Sequence, residues 1–120
     1  MALVTSKVEW LAHRALEHVG LAGAIPVVVG YDSCTRHKPD PEPVTRALAL
    51  LGRPATEALF IGDSTHDIEA GRAAGVRTIG VSWGAFSHAD LALAHPDLVV
   101  DDVAALALAV DRFAAEQRPA

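Results

Sequence analysis

Five short apolar runs punctuate the chain: "ALVT" at 2–5, "VVVG" at 27–30, "ALFIG" at 58–62, "RTIGVSWG" opening at 77 and "DLVVDD" opening at 97. Their apolar residues are consecutive rather than alternating, the pattern of strands covered on both faces. Segments of helical period separate them. Strands alternating with helices predict an α/β fold, a doubly wound, Rossmann-like parallel sheet.

The first helical segment has apolar residues at 8, 11, 12, 15, 16 and 19, with Ser6 placed to cap it and Gly20 to end it. A second begins with Asp40 as cap and Pro41 at the first helical position, and buries Val44, Ala47, Leu48 and Leu51. A third runs from about Thr65 to Ala74 and stops at Gly75. A short helix is expected near 88–94, and a last one over 103–114 with Val103, Leu106, Val110 and Phe113 facing inward.

At 120 residues the chain has the size of one domain, 1–120, and can bury roughly two thirds of its unfolded surface. With 51% hydrophobic and 21% charged residues it is globular in composition. A net charge of −5 argues against a nucleic-acid or anionic-membrane partner, since both demand clustered Lys and Arg. No apolar run approaches the ~20 residues of a membrane span, and "MALVTSK" is no signal peptide. Cys34 is the single cysteine, so no internal disulfide forms and the cytoplasm is the expected compartment.

Ligands of such sheets bind at the carboxyl ends of the strands. There the sequence places the hydroxyl of Thr5, the ammonium of Lys38 and the carboxylate of Asp63, with Asp67 one helical turn further on. Like charges at this spacing repel by a few tenths of a kcal/mol. Taken alone the two acids read equally well as a cap and a dipole-favoured first-turn residue. A hard cation gives a better reason for both, because Mg²⁺ is held by one or two carboxylates plus water and substrate phosphate. Lys38 stands in "KPDPEP", whose prolines restrict the backbone around it, as suits a charge aimed at a phosphoryl group. The six histidines show no zinc spacing, and His66 alone falls inside the acidic motif. Cys34 lacks an arginine six positions on and reads as a packing residue. No dinucleotide or P-loop glycine pattern occurs.

Taken together, "LVTSK", "KPDPEPV" and "FIGDSTHDIEAGRAAGVRTIGVSWG" resemble the haloacid dehalogenase-like hydrolases, most closely their phosphoglycolate-phosphatase-like branch. The resemblance implies that Thr5 binds the phosphoryl group with Ser6 beside it. It implies that Lys38 stabilises phosphoryl group and nucleophile, and that Asp63 and Asp67 hold Mg²⁺ directly or through water. The substrate it implies is a small phosphorylated metabolite, with "SWGAFS" bordering the site.

The family's nucleophile is the first aspartate of a D-x-D motif on a strand that lies between those matched here by "ALVT" and "ALFIG". No D-x-D occurs in this sequence. The expectation is therefore a core that is incomplete at its N-terminus, lacking the first strand and the family's cap domain. Omitting that strand leaves two unpaired edges or forces a new pairing, and bare edges invite self-association. The rival expectation is a non-catalytic module that binds Mg²⁺, phosphate or another protein. A receiver-like signalling domain fits less well, because its acids, Thr and Lys come in a different order.

Overall fold

The computed structural model describes residues 1–117. Strands β1 (Ala2–Val4), β2 (Val27–Val29), β3 (Leu59–Gly62), β4 (Arg77–Val81) and β5 (Leu98–Val100) alternate with helices α1 (Glu9–His18), α2 (Glu42–Leu51), α3 (Thr65–Ala73), α4 (His88–Ala92) and α5 (Val103–Glu116). Each element lies within a residue or two of its expected place. All pairings are parallel, and a helix links the paired neighbours, as parallel strands require.

The five strands form two sheets rather than one. β1 pairs with β2, Leu3 opposite Val28, while β3, β4 and β5 pair in that order, Ile61 opposite Ile79 and Ile79 opposite Leu98. Among the described residues no strand pairs with the free edge of β1 or of β3. Ile61 on β3 is 40% exposed, high for a residue on a parallel strand.

Period-two alternation sorts the strand residues between the helices. Leu3 and Val28 pack on Ala12 and Leu16 of α1. Ile79, Val81 and Val100 face Ala105, Leu106 and Ala109 of α5. Val44 of α2, Ala70 of α3 and Val76 form a third cluster with Phe60. Helix α2 touches both β1 and β2 and also α3, so it spans the two sheets.

Two local expectations are corrected. Ser6 does not cap α1: the N-cap is Val8, with no side-chain bond of its own, and the Glu9 N–H donates instead to Asp32 Oδ1 at 2.8 Å. Asp40 serves α2 from one residue earlier than expected, because Pro41 is the N-cap and Asp40 Oδ1 accepts the Glu42 N–H at 2.9 Å. On α5, Leu106 faces inward as expected. Val103 instead is 69% exposed and Val110 lies at the margin, while Ala105 and Ala109 pack on the cluster beside Leu106. Arg77 of β4 pairs with Glu116 and lies over the Phe113 ring, which seats the far end of that helix.

Asp32→Ala is expected to lower stability by about 1 kcal/mol, the usual worth of a helix cap. Ser6→Ala is expected to leave it unchanged. Urea midpoints of the two variants check the assignment.

Candidate active site

The loops that leave β1, β2, β3 and β4 converge on a cavity of about 630 Å³, lined among others by Thr5, Ser6, Lys38, Asp63, Asp67 and Trp83. Every candidate residue from the sequence is therefore brought to one place. His66 is exposed and lies outside the lining.

Thr5 is fixed by its N–H, which donates to Val29 O at 2.9 Å. Its Oγ1 accepts the Lys7 N–H at 3.2 Å, leaving the hydroxyl hydrogen free for a ligand oxygen. Lys38 arrives on a loop tied down by Glu42, whose two carboxylate oxygens accept the N–H groups of Thr35 and Arg36 at 3.0 and 2.9 Å. Sequence reasoning missed Glu42. Its signal was an acid in the first turn of a helix that another residue already caps. The same charge adds to partial burial in pushing the Cys34 thiol up, against the pull of Arg46, so Cys34 is a poor thiolate.

Lys38 Nζ lies 2.6 Å from Asp67 Oδ1, with the two side chains 15% and 10% exposed. It is also 3.5 Å from Val4 O. The second oxygen of Asp67 accepts the Asp63 N–H at 3.2 Å. Both Asp67 oxygens are thus engaged by protein donors. Ser64 caps α3 by accepting the Asp67 N–H at 3.1 Å, which disposes of the reading of Asp63 as a cap. The Asp63 carboxylate is exposed and takes no hydrogen bond from the described residues.

Two glycines make this packing feasible. A Cβ on Gly62 would lie 2.3 Å from the Asp67 Cβ, and one on Gly84 would lie 2.6 Å from Asp63 Oδ2. The loop after β4 therefore closes directly over Asp63, as "SWGAFS" suggested. Asp101, at the end of β5, holds both ends of that loop: Ser82 Oγ donates to its Oδ1 at 2.6 Å, and His88 Nδ1 lies 2.8 Å from the same oxygen. These bonds keep the Asp101 carboxyl below the usual range, Ser82 first and His88 second.

For a divalent cation the donor set is hard and oxygen-based, which suits Mg²⁺. The described residues contain no cluster of three or more His, Cys, Asp or Glu side chains placed to hold a metal. Asp63 is the carboxylate of the cavity lining that accepts no hydrogen bond from the described residues.

A family model described as haloacid dehalogenase-like hydrolase matches residues 1–81. The chain belongs to the haloacid dehalogenase-like hydrolases. A PpaX protein of Caldanaerobacter subterraneus subsp. tengcongensis is 42% identical over 102 residues, covering 85% of this chain and 46% of that relative. Pyrophosphatase PpaX of Listeria welshimeri is 38% identical over 106 residues, covering 88% of this chain and 49% of its own length. The chain spans about half the length of these curated relatives. Among solved structures, a predicted phosphoglycolate phosphatase from Haemophilus somnus superposes with a TM-score of 0.82 at 28% identity, over 91% of this chain and 48% of that one. The α/β fold of this family, expected from the strand and helix pattern, is thereby established.

A carboxyl whose folded pKa is depressed stabilises the fold above its unfolded pKa, and that contribution fades as pH falls through the folded value. The stability advantage of the native chain over Asp101→Asn is therefore expected to be present at neutral pH and to shrink below about pH 4. Urea titrations at stepped pH check it.

Proposed function

We propose that these residues carry the phosphate- and cation-binding part of a Mg²⁺-dependent phosphomonoester hydrolase, and that the attacking carboxylate is supplied from outside the 120 residues. The observation that carries this reading is the convergence of Thr5, Lys38 and Asp63, from the ends of three different strands, on one cavity. In this reading the Thr5 and Ser6 hydroxyls donate to phosphoryl oxygens, and Lys38 offsets the charge that develops on them. Asp63 holds the cation directly, and Asp67 holds Lys38 and the backbone at Asp63 in place. Bound Mg²⁺ would add charge neutralisation at the phosphoryl oxygens. The names of two relatives, a pyrophosphatase and a predicted phosphoglycolate phosphatase, support a small phosphorylated molecule as the substrate.

Where the nucleophile would come from is suggested by the space between the sheets. A cavity of about 490 Å³ runs between the bare edges of β1 and β3, lined by Leu3, Val4, Leu48, Phe60, Ile61 and Val110 among others. Apart from Arg53 and Glu57 its lining is apolar, and it meets the Thr5–Asp63 cavity, which shares Leu3, Val4, Phe60 and Ile61 with it. An apolar extended segment lying there, parallel to both strands, would pair both edges and end beside Lys38. Where nothing fills the space, the same edges favour association between copies. No helix among the described residues is long and apolar enough to cross a membrane. With Cys34 free, we assign the work of the protein to the cytoplasm.

Calorimetric titration of the purified chain with inorganic phosphate, with and without Mg²⁺, tests the reading. Phosphate is expected to bind in a Mg²⁺-dependent manner that Asp63→Asn abolishes, with no turnover of an aryl phosphate by the chain alone. Phosphate binding indifferent to Mg²⁺ and to Asp63→Asn would favour a non-catalytic module. Turnover lost in Asp63→Asn would place a nucleophile within these residues.

A further inference from the structure

His37 immediately precedes Lys38 and does not line the cavity. Its ring stacks on that of Tyr31, with centroids 3.8 Å apart and planes within 5° of parallel. At the ring edge, Nε2 lies 2.8 Å from the Tyr31 carbonyl oxygen. A carbonyl has no hydrogen to give, so Nε2 carries the proton and donates. One side chain thus closes the loop from residue 37 back to residue 31.

Tyr31 is itself held from the opposite side. Its N–H donates to Lys7 O at 2.8 Å, and the Lys7 N–H donates to Thr5 Oγ1 at 3.2 Å. Gly30 lets the two loops come this close, since a Cβ there would stand 2.8 Å from the Lys7 carbonyl oxygen and 2.6 Å from the Glu9 nitrogen. On the far side of Lys38, the His37 carbonyl accepts the Asp40 N–H at 2.9 Å, and Asp40 Oδ1 accepts the Glu42 N–H. The turn that displays Lys38 is therefore fastened at Asp40 to α2, and through the His37 ring to the loop that carries Thr5.

Lysine has a flexible four-carbon stem, so its ammonium is fixed only when both ends of the side chain are held. Asp67 holds the head at 2.6 Å. We propose that His37 holds the root: it is a positioning residue that fixes the Lys38 backbone relative to Thr5, and so sets the spacing between the two groups that meet a phosphoryl group. The inference rests on the phosphatase reading above and adds to it a residue outside the cavity. The donor at Nε2 matters more than the ring face. Tyr31 is half exposed, and parallel rings at the surface can slide over one another, whereas a hydrogen bond fails with small changes of distance and angle.

Two variants separate the donor from the ring. His37→Phe keeps a ring to stack on Tyr31 and removes the donor, while His37→Gln offers an N–H at similar reach without the ring. Because Lys7 and Lys38 are the only lysines, a chain labelled with ¹³C at lysine Cε gives two side-chain NMR signals, which Lys38→Met assigns. The Lys38 methylene protons of the native chain are expected to be resolved from each other. They should merge toward the shift of free lysine in His37→Phe and separate again in His37→Gln, with the Lys7 signal unmoved. Calorimetric titration with inorganic phosphate in Mg²⁺ should follow the same order. His37→Phe is expected to bind about fivefold more weakly than the native chain, the worth of one neutral hydrogen bond, and His37→Gln within about twofold of it. Urea midpoints are read alongside, because a merely structural role would make affinity follow stability. The proposal is overturned if His37→Phe keeps the native Lys38 signal and phosphate affinity, if His37→Gln restores neither, or if the losses track the urea midpoints across both variants. Phosphate binding by the native chain that is absent, or indifferent to Mg²⁺ and to Asp63→Asn, would overturn the phosphatase reading, and the Lys38 signal would still decide whether His37 positions the lysine.

Discussion

The contact between Lys38 and Asp67 joins two halves of the molecule that no backbone ladder connects. Lys38 belongs to the loop beyond β2, on one sheet, and Asp67 to the first turn of α3, on the other. At 2.6 Å and nearly out of solvent, the pair is a charge-assisted bond of the strong kind. Burying two charges is costly, so such a pair is better understood as fixing geometry than as adding net stability. It sets where the lysine ammonium stands relative to Val4, the end of β1, and through the second Asp67 oxygen it sets the backbone at Asp63.

Much of the surrounding sequence serves that contact. Three prolines and the two backbone hydrogen bonds that Glu42 accepts hold the Lys38 loop, Gly62 leaves room for the Asp67 side chain, and Ser64 opens α3 so that Asp67 falls in its first turn. Below the pair lies the apolar space between β1 and β3, bridged on one side by α2, which packs on β1, β2 and α3. The polar link at the carboxyl ends and the helix α2 together keep the two sheets facing one another across a gap. Under the proposed function, phosphate binding at the top of that gap and strand pairing inside it would be coupled. Whatever fills the gap also bears on the geometry of Lys38.

The order of strands and helices was legible because short runs of consecutive apolar residues alternate with longer segments of helical period. The convergence of Thr5, Lys38, Asp63 and Asp67 was legible because parallel strands bring their carboxyl ends together. What escaped had non-local causes. The cap of α1 comes from Asp32, 23 residues beyond the N–H it satisfies, while Ser6 stood nearer in sequence. Helix α5 is apolar around much of its circumference, so its period did not single out a face. Ala105, Leu106 and Ala109 pack on the sheet, and Val103 does not. Adjacency of Asp63 and Asp67 suggested a shared cation, but spacing along one segment could not reveal that Lys38, 29 positions away, takes one oxygen of Asp67.

The most direct test of this account is a double-mutant cycle on Lys38→Met and Asp67→Asn, read as unfolding free energies from urea titration. If the pair is the junction between the sheets, the two changes should be non-additive by at least about 1 kcal/mol, within the range seen for residues in direct contact. The double variant should then lose less than the sum of the single ones. Additivity within about 0.3 kcal/mol would mean that the two side chains do not sense each other. The site would then have to be held together by something other than this bond.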